Sequence, residues 1–105
     1  MVEKILNAAG ITFAEGSFRQ PPKTTYAVYL DDIEVRGADN INLLEEHNAT
    51  IELYEYSKDI EAEHHIEQAF NDFGIPYERQ SRTWLQEEQL YQVIYEFEYT
   101  TKKEK

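Results

Sequence analysis

The chain has 105 residues, and its 10 Lys and Arg against 21 Asp and Glu give a formal net charge of −11. Hydrophobic residues make up 41% and aromatic residues 13%, enough to pack a core, which excludes collagen-like, low-complexity and disordered acidic chains. The length suits a single domain spanning 1–105.

The absence of Cys excludes disulfide scaffolds, thiol nucleophiles and thiolate metal sites. No apolar run approaches the roughly 20 residues of a membrane helix. The N-terminus MVEKILNAAG lacks the long apolar stretch of a signal peptide, so the expected location is the cytoplasm where the chain is made. So acidic a surface repels nucleic-acid phosphates. The basic cluster Lys102, Lys103 and Lys105 reads as a frayed tail at 101–105, and sequence-specific nucleic-acid binding is not expected.

Residues 1–9 form a predicted helix, with Val2, Ile5, Leu6 and Ala9 on one face and Gly10 as its left-handed terminator. Segment 11–23, with Gly16, Pro21 and Pro22, reads as an extended arm whose Phe13 and Phe18 need burial. The β-branched and aromatic run 24–30 predicts a strand, Asp31-Asp32 a tight turn, and 33–36 a second strand closing a hairpin. A polar loop follows at 37–42.

Strand 49–56 alternates Ala49, Ile51 and Leu53 with Thr50, Glu52 and Tyr54, a half-buried pattern. Ser57 or Asp59 caps a helix over 60–73, whose stripe is Ala62, Ile66, Ala69, Phe70 and Phe73. Glu61, Glu63 and Glu67 favour the helix start electrostatically, and Gly74 and Pro76 end it. Strands at 77–85 and 90–101 close the chain. On the last, Tyr91, Val93, Tyr95, Phe97 and Tyr99 point one way to cover the helices, with Gln92, Glu96 and Glu98 opposite. The expected fold is α+β: an antiparallel sheet of about four to five strands with two helices on one face, in the order α-β-β-β-α-β-β.

The motif EAEHHIE places Glu61, His64 and His65 at i, i+3 and i+4, a spacing that shares metal ions when it occurs twice in a bundle. Here it occurs once, on a chain with two predicted helices, so it reads as a solvated polar face. The adjacent His residues also miss the zinc-protease spacing. His47 has no sequence-local partner. There is no Gly-x-Ser-x-Gly elbow and no phosphate-binding loop. No catalytic residue, metal or cofactor is expected, and the chain reads as a non-enzyme.

Base stacking on the Tyr-rich last strand is opposed by its neighbours Glu96 and Glu98. The abundance of Tyr instead suits contacts between proteins. Phe13, Phe18 and Arg19 on the arm, together with Trp84, are the candidate subunit-interface residues.

The layout as a whole resembles the small tail-completion proteins of long-tailed phages and prophages, the tail terminator and tail-to-head joining group. It rests on YAVYLDDIEVRGADN, TIELYEY, DIEAEHHIEQAFNDFGI and LYQVIYEFEYT, and covers nearly the full length. What the resemblance implies is a structural α+β protein that assembles as a homo-oligomeric ring, commonly a hexamer. Such a ring caps the tail tube and meets the head connector. Its implied partners are copies of itself, tail-tube proteins and head-connector proteins, with no membrane contact. Its implied location is the host cytoplasm during assembly and then the virion. An acidic lumen in such a ring lets DNA slide without sticking. Two other readings stay open: an acidic inhibitor or DNA mimic that binds a basic partner, and a metal-assisted enzyme using Glu61, His64 and His65.

Overall fold

The computed structural model describes residues 1–36 and 44–102. Helix α1 (Val2–Ala9) buries Val2, Ile5, Leu6 and Ala9, the stripe its spacing predicts. Gly10 stops it at φ 71°, where a side chain is penalised, and its N–H returns to Asn7 O.

The arm at 11–23 contains a short strand, β1 (Thr12–Glu15), running parallel beside β2 (Tyr26–Arg36). Strand β2 passes straight through Asp31 and Asp32, so the expected hairpin turn there is absent. The reason lies far away in sequence. Asp31 accepts hydrogen bonds from His47 and from the Tyr99 hydroxyl, which hold it in extended backbone against its local turn preference. Strand β3 (Leu44–Glu55) pairs antiparallel with β2 along its whole length. The polar loop expected at 37–42 lies outside the described residues.

Asp59 caps α2 (Ile60–Asp72), accepting the Ala62 N–H at 3.0 Å. The single strand expected over 77–85 is two short pieces, β4 (Glu78–Arg79) and β5 (Thr83–Leu85). Between them Arg82 turns inward to Glu63, interrupting the strand. Both pair antiparallel with β6 (Leu90–Lys102). Thr101 and Lys102 thus belong to a strand rather than to a frayed tail.

The sheet order is β1-β2-β3-β6-β4, with β5 also on β6, and among the described residues only β1 and β2 run parallel. The α+β class, the order α-β-β-β-α-β-β and the two helices on one face therefore hold, with six strands among the described residues because β1 and the split of β4 from β5 add two, while the two strands expected at 24–30 and 33–36 are one. The core lies between the helices and Ala27, Tyr29, Ala49, Ile51, Leu53, Val93, Tyr95 and Phe97. Tyr26, Val28 and Leu90 form a smaller cluster with Phe18 and Tyr54.

Phe70 is the centre of the helix–sheet contact, with ring centroids 4.5 Å from Tyr77 and 4.9 Å from Phe97. Phe73 shares its predicted stripe but lies at the C-cap, 42% exposed. Phe70→Ala is accordingly expected to cost about 3–5 kcal/mol in urea unfolding, and Phe73→Ala about 1 kcal/mol or less.

Candidate functional site

A row of inward side chains runs along β3 as His47, Ala49, Ile51, Leu53 and Glu55, and each end carries a polar cluster. At one end, Glu55 (0% exposed) meets Glu63 of α2 (1% exposed). Arg82 grips Glu63 with two hydrogen bonds of 2.9 and 2.7 Å, and Arg79 bridges Glu63 and Glu67 at 2.7 Å each. The Tyr95 hydroxyl donates to Glu67 at 2.8 Å. This clasp fixes the connection carrying β4 and β5 onto α2.

The two buried carboxyls differ in character. Burial, and next a hydrogen bond with Glu63, push Glu55 up to about 8. Burial alone would raise Glu63 as well, but the hydrogen bonds from Arg82 and Glu55 and the charge of Arg79 hold it below its ordinary value. One oxygen of Glu55 accepts the Asp59 N–H at 3.1 Å, while Oε2 receives no hydrogen bond from the described residues. A proton on Glu55, shared with Glu63, accounts for both facts. An acid beside an ionised partner is an acid–base pair in form. Neither carboxyl lines the groove of about 780 Å³ or the one of about 470 Å³. Through Arg82 and Arg79 the pair clasps α2 to the connection carrying β4 and β5.

At the other end, His47 Nδ1 lies 3.0 Å from Asp31, and Nε2 lies 2.9 Å from the Thr101 hydroxyl. Its ring stacks on Tyr99 at 4.2 Å. Burial first, and then the bond to Asp31, raise the Tyr99 hydroxyl above its ordinary value. These side chains join β2, β3 and β6 where the strands run beyond the helices. His47, without a partner in local sequence, is a cross-strand tie.

The sheet face away from the helices is open and acidic. Asp32, Glu46, Glu52, Glu96 and Glu98 share it by strand register, and Glu78 of β4 lies beside Glu96. Asp32, Asn48, Thr50, Glu78, Glu96 and Glu98 line the 780 Å³ groove.

Of the expected interface residues, Phe13 is half-buried with its ring 6.0 Å from Tyr29, on the helix side. Phe18 packs edge-on to Tyr26 at 5.4 Å on the open side, and Arg19 is exposed nearby in sequence. Trp84 is 41% exposed, packs on Tyr91 at 4.8 Å and donates to Gln86 at 2.9 Å. These four do not form one patch: Phe13 and Phe18 lie on opposite faces, and Trp84 is on β5. Glu61 and His65 are exposed and 3.9 Å apart, and His64 is exposed as well. No group of three or more His, Asp or Glu among the described residues is placed to hold a metal ion. No helix among them is long and apolar enough to cross a membrane.

No protein-family model and no curated protein matches the chain. Its fold is similar to that of a chain in the virion of a native gene transfer agent particle. The TM-score is 0.60 at 11% identity, covering 94% of this chain and 84% of that chain.

Proposed function

We propose that the chain is a non-enzymatic structural protein of a phage or phage-like particle. In this reading it is a ring component that terminates the tail tube or joins tail to head. The observation that carries the proposal is the near full-length likeness of fold to a virion chain. The open acidic face supports it: turned toward a channel, Asp32, Glu52, Glu96 and Glu98 repel passing phosphates. The implied partners are copies of the chain, tube proteins and connector proteins. Assembly takes place in the host cytoplasm and the product is the particle. Phe18, Arg19 and Trp84 are exposed enough to take part in such contacts, and Phe13 only through its half-buried edge.

The same carboxylates favour one other reading, an acidic inhibitor that covers a basic protein surface. Quantitative mass spectrometry of particles purified from the encoding cell separates the two. A fixed number of copies per particle is expected. Absence from particles, with one-to-one binding to a basic protein, overturns the virion reading.

A further inference from the structure

We infer, resting on the ring reading above, that neighbouring copies join by pairing the free edge of β2 in one copy with the free edge of β6 in the next. On the side away from β3, β1 covers β2 only over Tyr26–Tyr29, so 30–36 has no strand on that side among the described residues. Strand β4 covers β6 only at Tyr95 and Glu96, so 97–102 is open in the same way.

The two gaps match in height. Ile33 lies across from His47, and His47 across from Tyr99, so both gaps begin where the helix-covered part of the sheet ends. They also match in direction, because β2 and β6 each run antiparallel to β3. A neighbour related by rotation about an axis along the strands therefore brings its β6 parallel to β2, above the end of β1. Such a contact is heterologous, the kind that closes rings.

The backbone is set for it. Gly16 N–H donates to Tyr29 O on the β1 side at 2.9 Å, so by the two-residue period Asp31, Ile33 and Val35 aim their amides outward. Gln80 N–H donates to Ile94 O at 2.9 Å, and by the same period Glu98, Thr100 and Lys102 aim outward from β6. Ile33 is 51% and Val35 49% exposed on this edge. A long apolar edge of this kind invites another strand.

Charge selects the occupant. The β2 edge exposes Asp32, while the β6 edge ends in Lys102, followed in sequence by Lys103 and Lys105. A symmetric β2–β2 pairing is disfavoured. Centred on residue 32, it sets Asp32 against Asp32. The second copy's β6 is the complementary partner.

The test compares wild type with Ile33→Pro, Lys102→Glu and the double variant Lys102→Glu/Asp32→Lys, by light scattering, circular dichroism and amide hydrogen exchange. Proline at 33 removes an outward N–H that no strand of the same copy uses. The expected result is a wild-type oligomer with slow exchange over 30–36 and 97–102. Ile33→Pro is expected as a folded monomer. Lys102→Glu is expected to raise the assembly midpoint about tenfold, the effect of one lost charge pair, with recovery in the double variant. If Ile33→Pro unfolds, the charge variants decide alone. Variants that assemble like wild type, with fast exchange at both edges, overturn the edge pairing and leave the ring. A wild-type monomer at every concentration overturns the ring itself.

Discussion

Arg82→Met is expected to lower the unfolding free energy by about 3–4 kcal/mol, although Arg82 sits in a connection between two short strands. Its side chain is 19% exposed and supplies two of the hydrogen bonds that hold Glu63, whose own side chain is 1% exposed. Methionine keeps the apolar length and removes the charge, so a buried carboxylate loses its main partner. Arg79 still reaches Glu63 at 2.7 Å, which keeps the loss toward the lower end of the range for broken buried pairs. At about 4–8 °C per kcal/mol for a domain of this size, the melting point falls by roughly 12–32 °C. Arg79→Met removes a side chain that is 31% exposed, and about 1–2 kcal/mol is expected. Urea denaturation at pH 7 reads both. A loss for Arg82→Met below that of Arg79→Met contradicts the clasp.

Glu55 makes stability depend on pH, and Glu55→Gln is expected to remove that dependence. The folded value is about 8 against an ordinary 4.5, so between these the native state holds a proton that the unfolded chain has released. Stability from this group is full below about 4.5 and is lost as pH rises through about 8. Glu63, held low, works in the opposite sense: its contribution is present above the ordinary carboxylate range and is lost on acidification. The two trends place the maximum near pH 5. Wild type is expected to be less stable at pH 8.5 than at pH 5.5 by about 2–4 kcal/mol. That is less than the full linkage from 4.5 to about 8, because part of it is already lost between pH 4.5 and 5.5; the charge of Arg82, whose Nε lies 3.6 Å from Glu55, is already contained in the raised value. Glutamine keeps the shape and a donor for Glu63, so the variant's urea midpoint is expected to be flat over that range. An unchanged slope in the variant assigns the proton elsewhere.

Local signals in the sequence were enough for both helices, the Gly10 stop and the aromatic row of β6, and they narrowed the α2 cap to Ser57 or Asp59. Each depends on residues within one or two turns or steps of one another. Asp31-Asp32 misled because its partners, His47 and Tyr99, are 16 and 68 residues away. Segment 77–85 misled for the same reason, since Arg82 answers to Glu63. The clasp left a trace all the same. The two-residue step through Ala49, Ile51 and Leu53 lands next on Glu55, and Glu63 sits between the buried Ala62 and Ile66. An acidic residue in phase with a buried row points to a buried ion pair, but the basic partner cannot be named without the fold. Arg82 and Arg79 reach it only because β4 and β5 return to β6. The open edges are likewise invisible in sequence, because they depend on how short β1 and β4 are.

The ring is tested most directly by the absolute mass of the purified chain in light scattering across a concentration series, with and without chelator. A discrete species at a fixed multiple of 12.4 kDa, unchanged by chelator, is the predicted result. A monomer of 12.4 kDa at every concentration contradicts it.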